Sequence, residues 1–183
     1  MWAAQYYKFN KPNRWMTSGG LGTMGYGWPA AIGVQVAHPD ALVIDIAGEA
    51  SIQMTIQELG CATQHGIPAK AFIINNDWMG MVRQWQELIH GERYSHSSCA
   101  KQPDFVKIAE AYGAKGLRAE TVDQLDDVIK QMIEHDGPVL ADIRVTKNEN
   151  CFPMIPSGAA HNEMILNGDG QRAEATEAGK SMV

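Results

Sequence analysis

Three short apolar segments rich in β-branched residues recur along the chain, at residues 41–46, 70–74 and 139–145. Each has the length and composition of a strand that is buried on both faces. Segments with helical composition lie between them, among them residues 28–37 and 51–65. Alternating strands and helices are typical of parallel strands joined by right-handed crossovers. The sequence therefore predicts an α/β protein: a doubly wound, mostly parallel sheet with helices on both faces.

Further helices are predicted over residues 77–90, where an amphipathic segment follows the second strand, and over 103–113, between Pro103 and Gly113. The clearest helix begins at Thr121, which has capping-box spacing to Gln124 and precedes apolar residues at helical period. We expect residues 1–166 to form one domain and the polar, Gly- and Ala-rich residues 167–183 to form a disordered tail.

Composition excludes several classes of function. The 183 residues carry a formal net charge of -6, which does not suit a nucleic-acid-binding protein that must neutralise phosphates. No apolar run reaches membrane-spanning length, so no membrane segment is expected. Three widely spaced cysteines form neither a disulfide framework nor a zinc pattern and suit a reducing compartment. The sequence favours a cytoplasmic location.

Polar residues follow the first two predicted strands. Glu49 lies in a turn after Gly48, and Asn76 follows the second strand. Parallel strands deliver their carboxyl ends to one edge of a sheet, where α/β proteins bind ligands, so Glu49 and Asn76 are expected to meet there. Their oxygens suit Mg²⁺, and the helix start after Gly48 offers N–H groups to a phosphate. The alternative is a solvated Glu at a helix start and an Asn pair that forms an ordinary turn.

A resemblance to a known family strengthens the metal interpretation. Residues 48–51 (GEAS) followed by 75–76 (NN) resemble the GDG…NN signature of thiamine-diphosphate enzymes. The surrounding segments resemble the acetolactate synthase catalytic subunit: SGGLGTMGYG at 18–27, GMVRQWQ at 80–86, YSH at 94–96 and FPMIP at 152–156. Of these, MVRQW and PMIP are the features more particular to this family. The likeness extends from residue 1 to about residue 166 and implies that the chain is the C-terminal, thiamine-diphosphate-binding part of such an enzyme.

The resemblance assigns a role to each matching position. It implies that Mg²⁺ is bound by Glu49, the Asn76 side chain and the Trp78 backbone carbonyl. Gly48, Ala50, Ser51 and Gly80 are expected to lie along the cofactor diphosphate. Gly22 is expected to contact the aminopyrimidine of the cofactor, and Met24 to lie beneath its bend. Met81 is expected to contact the cofactor and to line the substrate channel, which Trp85 lines as well. For Met24, Met81 and Trp85 the alternative is ordinary core packing.

The chain also departs from the family pattern. The family has Asp where this chain has Glu49, and Mg²⁺ tolerates little deviation from octahedral geometry. The Glu that activates the cofactor lies in the family's N-terminal domain, and FAD binds its middle domain. Because the active site forms between two subunits of a homo-oligomer, no catalytic Glu is expected within these residues, and the chain alone is expected to be inactive.

The same resemblance implies the reaction. The complete enzyme condenses pyruvate with a second 2-oxo acid in branched-chain amino acid biosynthesis, and a regulatory subunit is a possible partner. Three alternatives stay open: another thiamine-diphosphate-dependent decarboxylase or oxidase, a non-catalytic binding module, and a dinucleotide site at residues 20–25, which formally match GxGxxG. The dinucleotide alternative needs a strand before the glycines, and residues 10–18 do not have the composition of one.

Overall fold

A computed structural model describes residues 1–169 and contains one four-stranded sheet. Its strands are β1 (Ile44–Gly48), β2 (Lys70–Asn75), β3 (Lys115–Ala119) and β4 (Val139–Arg144). They lie in the order β1-β2-β4-β3, and every neighbouring pair is parallel. The predicted parallel α/β fold is confirmed.

Seven α-helices accompany the sheet in the described residues. In chain order they are α1 (Trp2–Tyr6), α2 (Gly27–Ala37), α3 (Glu49–Gln53), α4 (Leu59–Gln64), α5 (Gly80–Leu88), α6 (Phe105–Ala111) and α7 (Leu125–Glu134). Short 3-10 segments occur at Ile56–Glu58, Val122–Gln124 and His161–Glu163.

Each face of the sheet has its own hydrophobic core. On one face, side chains of β1, β2 and β4 pack with α2, α3, α4 and α6, around the fully buried Ile73, Phe105 and Leu140. On the other face, α7 contributes Val128 and Met132 to a smaller cluster with side chains of β3 and β4. In β2 and β4 alternate residues serve opposite cores, which explains why these two segments are apolar throughout. The expected burial of β1 on both faces is wrong, because Ile44 and Ile46 are 39% and 42% exposed.

The predicted helix over 51–65 is wrong as one element, because it is broken into α3, a 3-10 turn and α4. The break falls at Thr55, whose backbone leaves the helical region (φ -139, ψ 19). Its hydroxyl donates a hydrogen bond to the Gly25 carbonyl at 2.8 Å. A tertiary contact therefore overrides the local preference for a continuous helix.

Strand β3 was not predicted from the sequence. Its segment, KGLRA, carries two cationic side chains and a glycine, so it lacks the apolar run that marks the other strands. Gly116 is needed there because a Cβ at this position would lie 2.7 Å from the Val106 Cα of α6. The close approach of helix and strand selects glycine at the expense of strand propensity.

The other elements differ from prediction mainly at their ends. The strand predicted over 41–46 is β1 at Ile44–Gly48, and the helix predicted over 77–90 is α5 at Gly80–Leu88. The helix expected at Thr121 starts with a 3-10 turn before α7. The predicted capping interaction is confirmed, since the Gln124 side-chain oxygen accepts the Thr121 N–H at 3.3 Å.

Backbone contacts divide the chain into two compact units. One comprises residues 1–6, 80–98 and the chain from residue 148 onward, and the other comprises residues 7–79 and 99–147. The whole sheet belongs to the second unit. The single domain expected over 1–166 stays a prediction, and the predicted tail lies outside the described residues from residue 170 onward.

Strand β1 carries a buried carboxyl group at Asp45, on the side of helix α2. Asp45 is 6% exposed, and its Oδ2 atom is buried without a hydrogen-bond partner. The Oδ1 atom lies 2.1 Å from the position that a Cβ would take on Gly27, at the start of α2. Burial raises the pKa of Asp45 from 3.8 to about 6. The ionised form of Asp45 is therefore disfavoured in the folded protein.

We expect Asp45 to make the protein less stable as the pH rises from 4 to 7. Between pH 3.8 and about 6 the folded state holds a proton at Asp45 that the unfolded state has lost. The free energy of unfolding therefore falls through this window, by about 3 kcal/mol in total at 1.36 kcal/mol for each pH unit. Urea denaturation of the parent and of Asp45→Asn should show the variant gaining this amount relative to the parent. A difference that does not change with pH would contradict the assignment.

Candidate cofactor and metal site

The carboxyl ends of β1 and β2 are adjacent, because Gly48 pairs with Ile74 in the parallel register. Glu49 directly follows β1, and its carboxylate accepts hydrogen bonds from the backbone N–H groups of Asn76 and Trp78. The structure thus brings Glu49 and the turn at residues 76–78 together, as the order of strands and turns suggested.

Glu49 is a buried acid rather than a solvated turn residue. It is 1% exposed, and its Oε1 atom is buried without a hydrogen-bond partner. Burial raises the pKa of the Glu49 carboxyl, the N–H groups of Asn76 and Trp78 oppose that rise, and the charge of Asp77 adds to it. A carboxylate oxygen without a partner in the protein interior is costly, so it is expected to serve a ligand.

The side chain of Asn76 is held on both sides. Its Oδ1 atom accepts the Trp78 N–H at 3.2 Å, and its Nδ2 atom donates to the Lys147 carbonyl at 3.4 Å. These contacts place the amide oxygen on the side of the turn that contains Trp78. An amide oxygen has two lone pairs, so Oδ1 retains the capacity to bind a cation.

The donor set around this turn fits Mg²⁺. Within residues 1–169, no three His, Cys, Asp or Glu side chains lie close enough together to bind a metal by themselves. The oxygens present are the unpartnered carboxylate oxygen of Glu49, the Asn76 amide and main-chain carbonyls of the turn. Mg²⁺ uses few protein carboxylates and takes its other oxygens from a phosphate ligand and water. The site therefore suits a magnesium ion that bridges to a diphosphate.

The glycine-rich segment that contains Gly22 and Met24 lies against the same region. Ser51 accepts the Gly25 N–H at 3.1 Å, and Thr55 donates to the Gly25 carbonyl at 2.8 Å. Gly25 has φ +88, and a Cβ there would lie 2.5 Å from the Met54 Cβ. These contacts hold Gly25, and with it the neighbouring Met24, against α3 at Ser51. The cofactor contacts of Gly22, Met24 and Ser51 stay predictions.

Replacing Gly25 with alanine is expected to detach this segment and weaken cofactor binding. The left-handed backbone and the Met54 contact both exclude a Cβ, so we expect a loss of stability of about 1–3 kcal/mol, typical of overpacking and backbone strain. Gly20→Ala is the matched control, because nothing lies within 4 Å of its added Cβ. Thermal unfolding of the two variants measures the difference, and equal midpoints would contradict the expectation.

Gly48, Ala50 and Ser51 form the junction between β1 and α3. The backbone of Gly48 is extended (φ -81, ψ 161). Gly48 is the N-cap residue of α3, and it makes no side-chain hydrogen bond to the start of this helix. The Ser51 hydroxyl contacts Gly25, as described above. This junction presents backbone to the predicted diphosphate position without a bulky side chain at Gly48.

Met24, Met81 and Trp85 are not core residues. They are 40%, 38% and 40% exposed, which rules out the alternative of ordinary core packing. Gly80, Met81 and Trp85 lie on α5, within the unit that contains residues 80–98. Met81 and Trp85 line an open groove of about 350 Å³ together with Val82, Gln86 and His90. An apolar groove on this helix is consistent with the predicted substrate channel.

Comparison with known proteins decides the family. Residues 1–143 match the thiamine pyrophosphate enzyme family in its C-terminal TPP binding domain. The chain belongs to this family. Thiamine pyrophosphate is the same compound as thiamine diphosphate, so the cofactor class inferred from the GEAS and NN motifs agrees with the family.

The curated relatives confirm the resemblance to acetolactate synthases. The chain is 50% identical over 177 residues to the acetolactate synthase large subunit of Pyropia yezoensis, covering 96% of this chain and 30% of that protein. It is 50% identical to the mitochondrial acetolactate synthase catalytic subunit of Saccharomyces cerevisiae (90% of this chain, 24% of the relative) and 46% identical to the large subunit of Haemophilus influenzae (91% and 29%). The chain spans less than a third of the length of these relatives.

A solved structure supports the fold. The thiamine-diphosphate-dependent 4-hydroxybenzoylformate decarboxylase of Rhodococcus jostii matches with a TM-score of 0.63 at 32% identity, covering 67% of this chain and 23% of that one. No helix within residues 1–169 has the length and apolar character needed to cross a membrane.

Sequence reasoning missed the charged residues that contact the turn at residues 76–78. Asp77 forms ion pairs with Arg144 (3.3 Å) and Lys147 (2.6 Å), and the fully buried Asp142 also pairs with Arg144 at 3.1 Å. Hydrogen bonding to Lys147, together with the charges of Lys147 and Arg144, lowers the pKa of Asp77. The motif flagged Asn76 and Trp78 but carried no signal for partners nearly 70 residues away.

Proposed function

We propose that this chain binds thiamine diphosphate through Mg²⁺ and forms the cofactor-binding part of an acetolactate synthase. The observation that supports it most is the buried Glu49 carboxylate with its unpartnered Oε1 atom. It lies beside Asn76 and Trp78, in a family that binds this cofactor. A diphosphate-bound Mg²⁺ is the ligand that satisfies a lone buried carboxylate and an amide oxygen together.

Each predicted residue then has a physical role. Glu49, the Asn76 side chain and the Trp78 carbonyl would hold Mg²⁺, and the backbone around Gly48, Ala50, Ser51 and Gly80 would lie along the diphosphate. Gly22 would contact the aminopyrimidine through its backbone, and Met24 would support the bend of the cofactor. Thiamine diphosphate, when bound, supplies the carbon nucleophile for decarboxylation of a 2-oxo acid and transfer of its acyl remainder.

The substrates follow from the relatives named acetolactate synthase. We propose that pyruvate is the first substrate and a second 2-oxo acid the acceptor, and that the product enters branched-chain amino acid biosynthesis. Met81 and Trp85 would line the path of these substrates, since their exposed apolar surfaces border a groove on α5. These apolar surfaces would limit the access of water to the reacting carbon of a bound substrate, which would favour condensation.

The remaining parts of the proposal concern the larger protein. Because the relatives are more than three times as long as the matched segment, we propose that the chain works together with other domains, one of which binds FAD and another of which supplies the activating Glu. A homo-oligomer, a regulatory subunit and a cytoplasmic location belong to the same proposal. Free Cys61, Cys99 and Cys151 are in keeping with a reducing compartment.

Isothermal titration of the 183-residue chain with thiamine diphosphate tests the cofactor part. We expect binding with Mg²⁺ and little binding in EDTA, because the metal joins the diphosphate to Glu49. Thiamine, which lacks the diphosphate, is the matched control ligand and should bind weakly under both conditions. Binding that is equal with and without Mg²⁺ would contradict the proposed metal role.

A thiamine-diphosphate-dependent decarboxylase is the second candidate, because the solved structure described above is one. The product formed from pyruvate separates the two candidates. Acetolactate supports the first proposal, whereas acetaldehyde released without condensation supports a decarboxylase.

A further inference from the structure

The turn that is predicted to bind Mg²⁺ has an unusual backbone at its centre. Asp77, between Asn76 and Trp78, has φ +62, in the left-handed region, which Asp adopts more readily than most residues other than glycine but still at a cost. The contacts around Asp77 offset this cost. The Asp77 carbonyl is also engaged, since it accepts the Cys99 N–H at 2.7 Å. The shape of the metal turn therefore depends on what holds Asp77.

The Asp77 carboxylate is held by three side chains from other parts of the chain. Its Oδ1 atom accepts Gln102 at 2.7 Å and pairs with Arg144 at 3.3 Å. Its Oδ2 atom pairs with Lys147 at 2.6 Å. The carboxylate is 15% exposed, so these contacts are only partly screened by water. The turn is thereby held to the end of β4, to the segment that follows β4 and to residue 102.

A fully buried carboxylate extends these contacts into the sheet. Asp142 of β4 is 0% exposed, and its Oδ2 atom pairs with Arg144 at 3.1 Å and with Arg118 at 3.0 Å. Its Oδ1 atom accepts the Asn75 amide at 2.8 Å. Arg144 thus bridges Asp142 in the sheet to Asp77 in the turn.

The contacts close into a ring. The Asn75 oxygen accepts both Gln102 at 2.9 Å and the Asp77 N–H at 3.3 Å. Hydrogen bonds of Asn75 and the two ion pairs of Arg144 therefore hold the turn at residues 76–78 in place together. The Nε2 atom of Gln102 serves two acceptors in this ring, while its Oε1 atom is buried without a partner. Connected charged hydrogen bonds of this kind favour a single arrangement of the groups that they join.

We propose that Asp142, Arg144 and Asp77 form a positioning relay that holds residues 76–78 in the shape needed to bind Mg²⁺. None of the three is proposed to touch the metal; they act through Asn76 and Trp78. This inference rests on the proposed function, because it assigns a purpose to the same metal turn. Outer partners of metal ligands set their orientation, and losing one costs roughly 10- to 100-fold in metal affinity.

The test measures the Mg²⁺ concentration that half-saturates thiamine diphosphate binding to the chain. Asp77→Asn keeps the size of the side chain and its tolerance of left-handed backbone but removes the charge. Arg144→Met keeps most of the side-chain length but removes both ion pairs. We expect each to raise the half-saturating Mg²⁺ concentration roughly tenfold or more. The double variant should be no worse than the more affected single variant, because both break the same relay.

Lys70→Met is the matched control for a buried charge on the same sheet. Lys70 is 2% exposed at the start of β2, and its Nζ atom donates to the carbonyls of His135 and Gly137 at 2.7 and 2.5 Å. The substitution should lower the unfolding temperature without changing the half-saturating Mg²⁺ concentration. Lys147→Ala provides a mild relay variant, since Lys147 is 66% exposed and its loss leaves the core intact. It should raise that concentration about twofold, the scale of an exposed ion pair.

A second measurement needs no cofactor. Hydrogen exchange by NMR follows the Cys99 amide, which donates to the Asp77 carbonyl in the turn. This amide should exchange faster in Asp77→Asn and Arg144→Met than in the parent. In the control variant Lys70→Met it should exchange at the parent rate, because the contacts of the turn are intact.

The outcomes separate the relay from the proposed function. One outcome is that the parent binds thiamine diphosphate in a Mg²⁺-dependent way, but Asp77→Asn, Arg144→Met and Lys147→Ala all need the same half-saturating Mg²⁺ concentration as the parent. The relay is then wrong, and the proposed function stands. If the parent shows no Mg²⁺-dependent binding, both are overturned. An equal effect of Lys70→Met on Mg²⁺ would also overturn the relay, since general loss of stability would then explain the change.

Discussion

Replacing Glu49 with alanine is expected to abolish Mg²⁺-dependent binding of thiamine diphosphate. The substitution removes the one charged oxygen proposed to contact the metal, so the affinity should fall by about 100-fold or more, beyond the roughly 10- to 100-fold cost of losing an outer partner. The same change is expected to alter the stability of the chain without cofactor much less than it alters binding. Removing the buried, unpartnered Oε1 atom relieves a desolvation cost, whereas the N–H groups of Asn76 and Trp78 lose an acceptor, so the two effects oppose each other.

This difference between the effects on binding and on stability makes the experiment decisive. Titration with thiamine diphosphate in Mg²⁺ should show the loss, while urea denaturation in EDTA should show that the variant remains folded. Glu49→Asp restores the shorter carboxylate found in the family, so its affinity should hold or improve. Glu49→Gln, which keeps the shape without the charge, should bind as weakly as the alanine variant. An alanine variant that binds like the parent, with the same Mg²⁺ dependence, would show that Glu49 is not a ligand.

How much of this site the sequence can predict is clear from Glu49 itself. Its place after a buried strand, opposite Asn76 on the next strand, follows from the geometry of parallel sheets. Its burial does not follow, because a Glu at a helix start is usually solvated. Only the three-dimensional arrangement shows an acid with 1% exposure and an oxygen without a partner.

The elements that the sequence missed share a physical cause. A helix ends at Thr55 because its hydroxyl donates a hydrogen bond to Gly25, 30 residues earlier. Position 116 of β3 is a glycine, which lowers the strand propensity, because α6 approaches it closely. Asn75 and Asp142 meet although 67 residues separate them. Local propensity and periodicity predict the apolar strands and the Thr121 cap. Contacts between residues distant in sequence determine the break of the helix at Thr55, the polar strand β3 and the charged relay, so local patterns do not predict them.

The 183-residue chain by itself is expected to form acetolactate at least about 100-fold more slowly than a complete enzyme. The Glu proposed to activate the cofactor is expected in another domain of the longer protein, and a positioned proton-transfer group contributes typically 10²- to 10⁴-fold. Cofactor binding should persist, because the proposed metal turn lies within this chain. A colorimetric assay for acetolactate with pyruvate, thiamine diphosphate and Mg²⁺ measures the rate.

A chimaera supplies the positive control for that expectation. The matched segment of the Haemophilus influenzae large subunit, which is 46% identical, is replaced by this chain. The chimaera should form acetolactate, and Glu49→Ala within it should not, because the proposed metal ligand comes from this chain. Rapid condensation of pyruvate by the chain alone would mean that the proton-transfer group lies inside these residues. A chimaera that binds the cofactor but releases only acetaldehyde would assign the chain to a decarboxylase. Its residues would then support cofactor binding and decarboxylation but not condensation.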